Sequence, residues 1–181
     1  MEEYEEAIAS DNVLQFFKVL KNYDYIAPIC HPIVDSINAG SHKILEYLIK
    51  YQHYEIKYHI SPESKISPLE IAILHNKLEC VKVLVENGAI DRNYRYLGIH
   101  YIRMVLSFSL RYSTIEITEY LLENIDFYES EFKYIIDLKA SKILFSSEKN
   151  KYIDDVIVKK YQQLKRVKAR IPYLAILKAI W

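Results

Sequence analysis

Six histidines and two cysteines are the side chains here with chemistry beyond packing. Cys30 and His31 are adjacent, His42 lies eleven residues on, and His75 precedes Cys80 by five. A structural zinc site needs ligands spaced to close on one ion, as in C-x-x-C or H-x-x-x-H. Neither spacing occurs, so no metal and no cofactor is expected. Cys30 beside His31 leaves a thiol nucleophile open in principle, because catalytic partners need not be sequence neighbours. No glycine-rich phosphate loop, G-x-S-x-G or paired-carboxylate signature accompanies it. Asp154 and Asp155 fall on different faces of a helix and read as solvated. The expectation is a protein without catalysis.

Charge offers a second kind of chemistry. Lysine plus arginine equals aspartate plus glutamate at 24 each, so the whole-chain balance names no partner. The distribution is uneven, however. Lys159, Lys160, Lys165, Arg166, Lys168 and Arg170 form a basic stripe near the end of the chain. It reads as a nucleic-acid or acidic-partner surface, as a solvated helix face, or as a complement to the acidic "MEEYEE" start. Cys30 and Cys80 make no disulfide framework and suit a reducing compartment. The first residues lack a secretory apolar core, and no run is long enough to span a bilayer. A cytoplasmic protein with no membrane association is expected. The 17 tyrosines accompany many lysines and isoleucines. All three have AT-rich codons, so the bias can be genomic.

The elements that must position these residues are legible in "SPLEIAILHNKLECVKVLVENGAID", Ser67 to Asp91. Ser67 and Pro68 read as helix N-cap and first helical residue, and Glu70 completes a capping box. Leu69, Ile71, Ala72 and Ile73 fill a first helix. Asn76 suits a left-handed turn, Leu78 to Glu86 form a second helix, and Gly88 ends it. Cys80 takes a buried position in that helix, where a free thiol acts as a small hydrophobe. Such a hairpin cannot bury both apolar faces alone. Copies are therefore expected, and "HPIVDSINAGSHKILEYLIKY" starts 36 residues earlier in the same register. "EEAIASDNVLQFFKVLKNYD" and "HYIRMVLSFSLRYSTIEITEYLLENID" supply further units, the last with a first helix about a turn longer.

The chain resembles the ankyrin-repeat family. The match rests on "SPLEIA", "VKVLVENGA" and the spacing between them, and extends in weakened form over Met1 to Phe127. In composition it looks like the divergent ankyrin proteins of poxviruses and other AT-rich genomes. The resemblance implies an all-α fold: a short solenoid of four units, about 1–28, 29–64, 65–97 and 98–127. The tail, 128–181, reads as helical and as a cap on the last unit. A rival reading makes the Pro-led "IPYLAIL" an exposed docking helix similar to the F-box-like ends of poxvirus relatives. The apolar "LAILKAIW" also makes self-association plausible.

The resemblance further implies a protein-interaction module, one engaging a host factor if the source is viral. Its binding surface would be the row of turns plus the first helices. The connectors carry Tyr54, Tyr58 and His59, then Arg92, Tyr94, Arg95 and Tyr96, which are hot-spot residue types. Asp35, Asn38 and Ala39, then Leu74 and His75, should face the same side.

Overall fold

A computed structural model describes residues 2–22, 31–53, 56, 66–90, 98–141 and 145–166. All regular structure among them is helical. The helices are α1 (Glu2–Ala9), α2 (Val13–Asn22), α3 (Pro32–Ala39), α4 (His42–Tyr51), α5 (Pro68–Leu74), α6 (Leu78–Glu86), α7 (Gly98–Tyr112), α8 (Ile115–Asn124), α9 (Glu129–Ala140) and α10 (Ser147–Tyr152). The last continues through a π-helical turn, Ile153–Ile157, into α-helix over 158–166.

Local chemistry sets the boundaries. Ser67 Oγ accepts from the Glu70 N–H at 3.2 Å, and the Ser67 N–H donates to Glu70 Oε2 at 2.8 Å. That reciprocal pair satisfies two donors that a helix start leaves orphaned. Pro68 occupies the first turn. Asn76 turns the chain at φ +53°, and Gly88 closes α6 at φ +81° with the Ala89 N–H donating to the Leu84 carbonyl. Gly40 does the same after α3, at φ +84°. Only residues that tolerate the left-handed region can make these turns without a Cβ clash.

The helices pair as α1–α2, α3–α4, α5–α6 and α7–α8. First helices then touch first helices, along α1, α3, α5 and α7, while second helices touch second helices, along α2, α4, α6 and α8. Leu69, Ala72, Ile73, Cys80, Val81 and Leu84 of the α5–α6 hairpin have no exposed surface. Seven- to ten-residue helices are marginal alone in water. Each buried Leu or Ile contributes about 1.5–3 kcal/mol, and here the neighbouring hairpin supplies the burying wall. Helix α7 departs from expectation: at 15 residues it exceeds α3 and α5, of 8 and 7, by about two turns rather than one. Ile102, Val105, Leu106 and Leu110 keep one buried stripe running, and no turn residue interrupts it before Ser113.

Polar bonds between hairpins recur at the spacing of the units. The Tyr4 hydroxyl donates to Asp35 Oδ2 at 2.9 Å, and Ser67 Oγ lies 2.7 Å from the Tyr101 hydroxyl. Ser41 Oγ donates to the Ile8 carbonyl. Asp11, itself at φ +50°, accepts from the Lys43 and Ile44 N–H groups at 3.2 and 3.0 Å. Asn76 Oδ1 accepts from the Thr114 N–H at 2.9 Å. Thus the residue that turns one hairpin also caps the second helix of the next.

Beyond the fourth hairpin, α9 packs on α7 through a face that buries Phe132 and Ile135, and the π turn packs on α9. Ile153 and Ile157 are fully buried there. The helix carrying the basic stripe therefore sits with α9, and the hairpin row separates it from α1. Among the described residues, the acidic helix α1 packs on α2 and α3, at the other end of the row of hairpins.

Candidate binding surface

The first-helix side opens into a groove between α1 and α3. Tyr4, Glu5, Ile8 and Ala9 line one wall, and Asp35, Asn38 and Ala39 the other, around a cavity of about 310 Å³. These residues meet because α1 and α3 lie side by side, each presenting one face to its hairpin partner and another outward. Ile8, Ala9 and Ala39 give the groove apolar surface. Glu5, Asp35 and Asn38 are its polar side chains. Asp35 is half-buried and held by the hydroxyl of buried Tyr4.

Of the residues expected to share the first-helix face, Asp35, Asn38 and Ala39 do so. His75 is exposed at the C-cap of α5, while Leu74 beside it is half-buried rather than open. Tyr54, Tyr58, His59, Arg92, Tyr94, Arg95 and Tyr96 lie outside the described residues. At the start of the same connector, Tyr51 is 69% exposed and His53 stands at φ +53°.

The described part of the basic stripe divides in two. Lys159, Lys165 and Arg166 are exposed, and Lys165 Nζ stands 5.6 Å from the centre of the Tyr161 ring. Lys160 is half-buried and lines a second groove of about 300 Å³ with Glu123, Asp126, Phe127 and Phe132. Lys168 and Arg170 lie outside the described residues. Asp154 and Asp155 are both exposed, and Asp154 pairs with Lys139.

Two further features lie outside the expected sites, and only the first has a signal in the sequence. On the second helices, Phe17 meets Tyr47 edge-on at 6.2 Å, and Tyr47 lies 5.5 Å from Tyr51. Leu14 (64% exposed) and Phe17 (38%) leave this strip open to solvent, with Lys21 Nζ 5.4 Å from the Phe17 ring. The i, i+3 and i, i+4 spacings of Leu14, Phe17 and Lys21, and of Tyr47 and Tyr51, place each set on one helix face. The second feature is Lys149, a buried residue whose Nζ has no hydrogen-bond partner. Burial pushes its pKa below the ordinary value. Nothing in its sequence context distinguishes it from an exposed lysine.

The buried thiol of Cys80 is pushed up to about 12 by desolvation, so it is a poor nucleophile at neutral pH. Among the described residues no group of three or more His, Cys, Asp or Glu is placed to hold a metal ion. No described helix is long and apolar enough to cross a membrane. No family model matches the chain, and no curated protein or solved structure matches it.

Proposed function

We propose that this chain is a non-catalytic protein-binding module of ankyrin-repeat type, acting through the first-helix side and the connectors beside it. The observation that carries the reading is the packing order: four hairpins in sequence, first helices against first helices and second against second. In such an array the core is built between hairpins, which leaves the outward faces free to vary for recognition. The Ser67–Asp91 motif, with its capping box, left-handed Asn76 and buried Cys80, supports the ankyrin assignment within that architecture. The partner class that follows is a protein, and a host factor if the source is viral. Its site would combine Tyr94 and Arg95 with the α1–α3 groove and the exposed end of α5.

The test is capture of partner protein from lysate, with substitutions on opposite sides of the array. Leu74→Gln with His75→Glu, and separately Tyr94→Ala with Arg95→Ala, should abolish capture and leave the unfolding midpoint unchanged. Glu46→Lys with Glu79→Lys, on the second helices, should capture normally. The reverse pattern, or no captured protein at all, would refute the reading.

The basic helix supports a second reading, binding of nucleic acid or another acidic partner. Residues 158–166 carry four basic and no acidic side chains, and three of the four are exposed. A mobility shift at low salt that disappears on replacing Lys159, Lys165 and Arg166 is the expected sign. Phosphate contacts would make it steeply salt-dependent.

A further inference from the structure

We propose that the α1–α3 groove receives a basic side chain, arginine in preference to lysine, from the bound protein. This deepens the protein-binding reading and rests on it. The groove's size and chemistry suit such a group. Its cavity is about 310 Å³, and Ile8, Ala9 and Ala39 supply surface for an aliphatic stem. Long cationic side chains bury their methylenes along such surface and keep the charged head at a polar rim. Here the rim holds two carboxylates, Glu5 and Asp35, and the amide of Asn38, and no lysine or arginine stands among the described lining residues.

Charge complementarity decides the occupant. Helix α1 carries Glu2, Glu3, Glu5 and Glu6, and no lysine or arginine precedes Lys18. The carboxylates of the described lining favour a cation over a phosphate in the groove, which argues against nucleic acid as its occupant. Asp35 is also set in place before any ligand arrives. Tyr4, 3% exposed, donates to its Oδ2 at 2.9 Å. A carboxylate fixed this way loses little freedom on binding, so more of its attraction appears as affinity. A guanidinium presents five donors in a rigid fork and can serve two carboxylates and an amide oxygen together, where an ammonium acts as a point charge.

The test titrates the full ¹⁵N-labelled chain with the capped tripeptides Ac-Gly-Arg-Gly-NH₂, Ac-Gly-Lys-Gly-NH₂ and the neutral isostere Ac-Gly-citrulline-Gly-NH₂. The arginine peptide should saturate at a Kd on the order of 1–10 mM, moving amides of residues 4–9 and 35–39. The lysine peptide should bind more weakly, and the citrulline peptide about tenfold more weakly than arginine. Asp35→Asn keeps an oxygen for the Tyr4 hydroxyl and so keeps the groove. It should weaken the arginine peptide several-fold without moving resonances elsewhere, and Glu5→Gln should act in the same direction. Three outcomes overturn the proposal: no saturable shift at the groove, equal binding of citrulline, or shifts that ignore both substitutions. Self-association that Asp35→Asn abolishes, with no peptide response, would also overturn it and make a second copy's basic helix the occupant. Partner capture lost through Leu74, His75, Tyr94 and Arg95 but unaffected by Asp35→Asn would sink this inference and leave the protein-binding reading standing.

Discussion

Asp11 offers the sharpest test of how the hairpins are joined. Its carboxylate accepts from two N–H groups at the start of α4, and its backbone sits at φ +50°. The α4 N-cap, Ser41, makes no capping bond of its own, and its Oγ donates to the Ile8 carbonyl instead. Helix α4 is therefore capped from the preceding hairpin. Removing an N-cap acceptor costs about 1 kcal/mol, within a range of 0.5–2, and losing a negative charge at a helix N-terminus adds about 0.3–1. Alanine at positive φ adds roughly 1–2 kcal/mol of backbone cost, which glycine does not incur. Asp11→Ala should then destabilise by about 3 kcal/mol, Asp11→Gly by about 1.5, and Asp11→Asn by less than 1.5, since asparagine retains one acceptor and tolerates the turn. For a chain of this size 1 kcal/mol corresponds to about 2–4 °C in Tm, so the alanine variant should melt roughly 6–12 °C lower. Urea unfolding followed by circular dichroism at 222 nm gives the free energies directly. If alanine and glycine both fell within about 0.5 kcal/mol of wild type, the inter-hairpin cap would carry no stability and the account of α4 would fail.

Three further outcomes follow from burial. Leu84→Ala, at a position with no exposed surface between two hairpins, should cost about 2–5 kcal/mol by urea unfolding. In a Cys30→Ser background Cys80 should resist Ellman's reagent at pH 8 until urea unfolds the chain. Its folded pKa of about 12, against an ordinary 9.0, keeps the proton on the folded thiol, so this stability is present below pH 9 and lost as pH rises toward 12. Lys149→Met should raise stability by about 1–3 kcal/mol at pH 7, because it removes a buried ammonium without a partner. The depressed pKa means the unfolded chain binds more protons, so the penalty is full below that value and disappears as pH rises past 10.5. The gap between variant and wild type should therefore narrow at alkaline pH. A constant gap would show that packing alone sets it.

The local grammar is written in residue type and order: the Ser67–Glu70 box, the turns at Asn76 and Gly88, the helical spacing of Leu69, Val81 and Leu84, and hence an all-helical chain of hairpins. These features depend on contacts within a few residues, where residue type and spacing are nearly sufficient. The length of α7 exceeds the expected one extra turn because nothing local stops its apolar stripe. Which side chains serve a neighbouring unit emerges once the hairpins pack. That Asp11 caps α4 and that Tyr4 holds Asp35 beside Glu5 depend on residues 31 to 33 positions apart, and Lys149 is enclosed while Lys159 is open. No short-range pattern encodes those distances, because they arise only when one hairpin packs against the next.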